Sequence, residues 1–170
     1  MELEQFNRAP RSAAIHALIP CVDIHRWCEE IADSRPFTSR EMLLVTARAA
    51  ASPFTADEVA VALAHHPRIG QRPRDNGAEA TLARSEQSGV DPTDAAIAAA
   101  LAMGNRAYEE RFGRVFLIRA AGRSGAEMLA ILQERLRNNV ADEALATAEQ
   151  LREIALLRLE GIVNEEWLVT

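Results

Sequence analysis

Apolar residues recur at helical spacing along most of the chain, and polar turn formers separate the runs. Ile24, Trp27 and Ile31 share a face in a stretch broken near Pro20, so one or two helices are expected between about Ser12 and Ser34. Arg35-Pro36-Phe37 reads as a turn. Thr38 with Glu41 forms a capping box that opens a helix through about Ala51, and Ser52-Pro53-Phe54 breaks it. Thr55 with Glu58 forms a second box. Val59, Ala62, Leu63 and His66 then fall at i, i+3, i+4 and i+7, and Pro67 disfavours helical geometry before it, so that helix is expected to run to His66. Residues 70–77 are a polar loop, and a helix is expected from about Ala78 to Ser88, with Gly89 after its end. Asp91-Pro92 offers an N-cap and a first-turn proline for a long helix with Asp94 in its first turn. That helix reaches Phe112 and closes at Gly113. Val115-Phe116-Leu117-Ile118 is too short for a helix and reads as a buried extended segment. Ser124 with Glu127 opens a helix to about Asn138-Asn139, and Asp142 is the expected cap of a last helix to about Val163.

These elements make one all-α, compact helical domain of about seven to eight helices. Residues 1–10 are expected as a loosely ordered lead-in, 11–163 as the domain and 164–170 as a tail. The composition agrees: 48% of 170 residues are hydrophobic but only 5% aromatic, which favours close-packed helices. A net charge of -6 argues against nucleic acid or an anionic membrane as partner. No apolar run reaches the ~18 residues of a membrane span, and the acidic N-terminus lacks a signal-like apolar region, so a cytoplasmic protein is expected. All 19 basic residues are arginine; a lysine Schiff base and a Walker lysine are both excluded. Cys21 and Cys28 read as buried free thiols.

Three inward faces carry a polar side chain where leucine would fit. His66 continues the Val59/Leu63 face. Glu86 follows Ala78 and Leu82 at intervals of four. Arg158 interrupts the stripe Leu151, Ile154, Ala155, Ile162. Burying charge is costly unless it is paired or used. Glu86 and Arg158 are therefore either an ion pair that locks helices or, with His66, an acid–base and anion-binding set. No H-E-x-x-H and no E-x-x-H is present, and His16, His25, His65 and His66 supply no second helical ligand pair, so no metal is expected.

The ordered motifs resemble those of the OHCU (2-oxo-4-hydroxy-4-carboxy-5-ureidoimidazoline) decarboxylases. They are His66-Pro67-Arg68-Ile69-Gly70, Glu86-Gln87-Ser88-Gly89, Asn105, Tyr108, Arg111-Phe112-Gly113, Phe116, Gly122-Arg123-Ser124, Arg135-Leu136-Arg137-Asn138 and the Ile154–Leu159 stretch, preceded by Arg35-Pro36-Phe37. The resemblance covers about residues 15–163. It implies an all-helical, cofactor-free homodimer that converts a small-molecule ureidoimidazoline carboxylate to (S)-allantoin and carbon dioxide in urate degradation. It places catalytic roles on His66, Glu86 and Arg158. It places substrate contacts on Pro67, on Ala83, Arg84, Ser85 and Gln87, and on Phe116, Leu117, Ile118, Arg119 and Ala120. The family's S-x-x-E-Q motif has alanine here, at Ala83, and the Phe-Gly segment continues as Arg114-Val115-Phe116. A homologue acting on a related ureido or imidazoline acid, and a non-catalytic helical interaction module, are the alternatives.

Overall fold

The computed structural model of the chain describes residues 1–64, 66, 68–70, 85–86, 88 and 94–163. Among them lie eight helices: α1 (Leu3–Arg8), α2 (Arg11–Leu18), α3 (His25–Asp33), α4 (Arg40–Ala49), α5 (Ala56–Leu63), α6 (Ala95–Phe112), α7 (Gly125–Arg135) and α8 (Val140–Ile162). Ser85 and Glu86 are also helical. The fold is all-α, as the apolar spacing requires, and no helix among the described residues is long and apolar enough to cross a membrane. The expected helix start at Asp91-Pro92, most of the expected 78–88 helix and the 164–170 tail fall outside the described residues.

Local chemistry sets the helix ends. The Thr55/Glu58 and Ser124/Glu127 capping boxes both form. Gly113 closes α6 with φ of 67°, a left-handed conformation that glycine adopts without a Cβ clash. Three caps differ from the expected ones. Ser39, not Thr38, caps α4; Asp94 itself caps α6 rather than sitting in its first turn; and Asn139 caps α8 by accepting from the Asp142 N–H. Each sits one to three residues from another side chain able to accept the same bond, so spacing alone left the choice open. Helix α5 stops at Leu63 rather than His66; the His66 N–H reaches back to Leu63 O at 3.0 Å in a closing turn. Residues 1–10 are more ordered than a lead-in. Phe6 on α1 is fully buried, stacks on Phe37, and its carbonyl accepts from Arg35 at 2.7 Å.

Two apolar clusters organise the molecule. One gathers α1–α5 against α8 around Leu18, Trp27, Ile31, Leu43, Leu151 and Leu159. The other joins α6 and α7 around Leu101, Tyr108, Met128 and Leu132. Two connecting segments belong to both. Leu63 lies in the first cluster and Ile69 in the second. Along the non-helical 115–120 segment, Leu117 enters the first cluster while Phe116 and Ile118 enter the second, the alternation of an extended chain. The expectation of a buried extended segment there holds.

Candidate active site

The polar residues that interrupt apolar faces lie on this two-cluster frame. Arg158 projects from α8 and is 2% exposed. Its Nε donates to Glu86 Oε1 at 2.7 Å and its Nη2 to Glu86 Oε2 at 3.0 Å, a bidentate pair that uses the planar fork. Its Nη1 faces the carbonyls of Pro20 at 3.3 Å and Cys21 at 3.5 Å, in the turn between α2 and α3. The guanidinium thus ties α8 to that turn and to Glu86. The Glu86 side chain is the more exposed partner, at 16% against 1% for Arg158. The carboxylate is the face that the pair presents outward.

His66 follows α5, the helix that packs against α8. Its Nδ1 lies 3.0 Å from Ala62 O. A carbonyl only accepts, so Nδ1 carries the hydrogen and, in the neutral ring, Nε2 carries the lone pair. The face argument that joined His66 to Ala62 and Leu63 is met, although helical geometry has already ended. The structure therefore brings Glu86 and Arg158 into contact and sets His66 at the end of a helix in the same cluster as Arg158's neighbours. Ser85 is exposed. Pro67, Ala83, Arg84 and Gln87 lie outside the described residues.

The 116–120 segment is anchored by a buried polar hub. Arg135 Nη1 donates to Leu117 O at 2.6 Å, and its guanidinium lies 5.0 Å from the Phe116 ring centroid. The same guanidinium pairs with Glu143, which is fully buried and also accepts from Tyr108 Oη and from Asn138 Nδ2 at 2.8 Å. Burial pushes the Glu143 carboxyl up, but the bonds from Arg135, Tyr108 and Asn138 outweigh it and hold the group below its ordinary range. Burial, reinforced by Glu143, pushes the Tyr108 phenol up to about 12. The Arg119 N–H donates to Gln150 Oε1 at 2.9 Å, and Ala120 O accepts from Arg123 N at 3.0 Å. Those bonds hold Leu117, Arg119 and Ala120 in place. Sequence reasoning did not single out Glu143 as buried. Its signal was present: Glu143 and Thr147 extend the Leu151/Ala155 stripe two turns toward the helix start.

Cys21 and Cys28 are buried free thiols, as expected. Burial pushes both up to about 12.

The profile of the OHCU decarboxylase family matches residues 7–160. The chain is 31% identical over 150 residues to the uric acid degradation bifunctional protein TTL of Arabidopsis thaliana, across 86% of this chain and 46% of that protein. It is 37% identical over 101 residues to the 2-oxo-4-hydroxy-4-carboxy-5-ureidoimidazoline decarboxylase of Amia calva, across 58% of each. The chain thus spans about half the length of these two curated relatives. Against the decarboxylase of the same name from Haloferax volcanii it is 25% identical across 98% of both chains. A crystal structure of OHCU decarboxylase in the presence of (S)-allantoin superposes with a TM-score of 0.70 at 29% identity, covering 91% of this chain and 98% of that one. With a profile match across most of its length and the same helical fold, the chain belongs to the OHCU decarboxylase family.

Proposed function

We propose that this chain is a carboxy-lyase that converts 2-oxo-4-hydroxy-4-carboxy-5-ureidoimidazoline to (S)-allantoin and carbon dioxide in urate degradation. The observation that carries the reading is the buried, bidentate Arg158–Glu86 pair, formed by two of the three residues to which the family resemblance assigns catalysis. The C–C bond to the carboxylate breaks and carbon dioxide leaves; the bond's electron pair forms a ring C=C bond while the pair of the conjugated ring C=N moves onto its nitrogen, which takes up a proton, giving an enol intermediate. A proton then adds to one face of the ureido-bearing carbon while the ring hydroxyl loses its own and becomes the carbonyl. The substrate is its own electron sink, so the reading calls for no cofactor.

His66 serves as the proton carrier through Nε2, because Nδ1–H is committed to Ala62 O. Glu86, the more exposed member of its pair, accepts from the ureido N–H groups. Arg158 fixes that carboxylate and supplies the positive charge near which an anionic oxygen is stabilised. Backbone groups of Phe116, Leu117, Ile118, Arg119 and Ala120 bind the ring, together with Pro67, Ala83, Arg84, Ser85 and Gln87. The same reading makes the functional unit a homodimer of the 11–163 domain with α1 added, working in the cytoplasm.

The test generates the substrate in situ with urate oxidase and hydroxyisourate hydrolase and follows its ultraviolet decay. The chain should accelerate decay, His66→Asn should lose about 10²–10⁴-fold, and His65→Asn should keep most of the activity. A decay rate unchanged by the chain refutes the reading.

A further inference from the structure

After His66, two successive residues, Arg68 and Ile69, are tied to α6 by hydrogen bonds. Arg68 Nη2 donates to Glu109 Oε2 at 2.8 Å, and its Nε also binds that carboxylate. Ile69 O accepts from Asn105 Nδ2 at 2.9 Å. Gly70, at φ of 82°, lies beside α6, where a Cβ would meet Leu101 Cδ1 at 3.6 Å in ordinary contact. Leu101, Asn105 and Glu109 are four residues apart, so they form one straight row along the helix, and the loop runs antiparallel to it. The two ties differ in environment. The Arg68–Glu109 pair is solvent-lined, whereas Asn105 is 3% exposed.

We infer that Asn105 is a positioning residue for His66. The inference rests on the catalytic role proposed for that histidine. His66 is held on its N-terminal side by two bonds to the end of α5: its N–H to Leu63 O and its Nδ1–H to Ala62 O. On its C-terminal side, among the described residues, Asn105 Nδ2 makes a buried bond to Ile69 O, three residues on. Together these fix the chain on both sides of the imidazole. Losing the Asn105 bond removes the polar tie at Ile69 O while the Arg68–Glu109 pair and the buried Ile69 side chain remain, so the backbone shifts rather than swings and displaces the imidazole relative to Ala62 O. A displacement of about 1 Å in a reacting group costs on the order of 10²-fold in rate.

Asn105 is a costly residue to keep for packing alone. Among the described residues its Oδ1 is buried with no hydrogen-bond partner, so leucine of similar volume would remove one unsatisfied acceptor along with the donor to Ile69 O. Asn105→Leu leaves Ile69 O without its donor, a loss of about 1–2 kcal/mol after removal of the Oδ1 acceptor, and is expected to melt about 2–8 °C below the wild type. Its kcat should fall about 10–100-fold, with KM and allantoin affinity within about threefold of wild type. The ¹⁵N shifts of the His66 ring should move from the Nδ1–H form enforced by Ala62 toward the mixture of a free imidazole, a signature that loss of packing elsewhere does not produce.

Glu109→Ala, on the solvent-lined fastening, gives a folded variant whatever becomes of Asn105→Leu. It should lower kcat about two- to fivefold with the same direction of change in the His66 ring. Wild-type kcat and unchanged ring shifts in the folded variants overturn the inference while leaving the decarboxylase reading intact. A wild-type chain without activity overturns that reading, and this inference with it.

Discussion

Replacing Arg158 by methionine removes the charge at the centre of the site while keeping an unbranched apolar chain of similar reach. Two bonds to Glu86, at 2.7 and 3.0 Å, are lost, together with two long ones to Pro20 O and Cys21 O. Breaking one side of a buried pair costs about 3–5 kcal/mol when the partner is left in the interior. The Glu86 side chain retains 16% exposure and recovers part of its hydration, so about 2–4 kcal/mol is the expected loss. On a domain of this size that lowers the melting temperature by roughly 4–16 °C. The double variant Arg158→Met/Glu86→Leu removes both charges and should regain at least half of the loss, since apolar replacement of a whole buried pair is near neutral. Turnover should be lost in the single and the double variant alike. Thermal and urea melts with turnover assays on the two proteins check this. Arg158→Met melting within about 2 °C of wild type, or a double variant less stable than Arg158→Met, refutes the paired-charge account; a folded Arg158→Met with near wild-type turnover removes Arg158 from catalysis.

Two further predictions concern the second cluster. The chain's single tyrosine, Tyr108, should ionise at about 12, seen as delayed phenolate absorbance on alkaline titration. Because the folded state holds this proton more tightly than the unfolded chain, the associated stability is present below about pH 10 and declines as pH rises from there through about 12; ionisation near 10 in the folded protein contradicts the buried bond to Glu143. Gly104→Ala places a Cβ 2.5 Å from Leu132 Cδ2, where α6 crosses α7, and should destabilise by about 1–2 kcal/mol despite alanine's better helix propensity; a stabilised variant on urea melts refutes the close approach.

Legibility from sequence followed the physics of each signal. Glu86 and Arg158 were visible because a charge in an apolar stripe has few explanations, and one of the two candidates, the ion pair, is the contact they form. His66 was visible through its helical register, yet the helix ended at Leu63 because the closing turn, not α geometry, carries its N–H bond. Arg135 was noticed only as part of a motif. Its role depends on a partner eight residues away in the next helix and on Leu117 O, a long-range contact that periodicity does not encode. Arg152 was missed for a related reason: its guanidinium is held by the carbonyls of Arg48, Ala50 and Ala51 at the end of α4, and backbone acceptors leave no mark in a sequence. Caps at Ser39, Asp94 and Asn139 were misplaced by one to three residues because several oxygen-bearing side chains compete at each helix start.

The central claim is that this chain protonates one face of a decarboxylated ring. The most direct measurement is the optical activity of the allantoin formed when substrate is generated enzymatically in the presence of the chain and, separately, of His66→Asn. Spontaneous decay gives racemate. The account predicts a circular dichroism signal of (S)-allantoin that builds with the wild-type chain and is absent with His66→Asn. Racemic product at every concentration of the wild-type chain contradicts it.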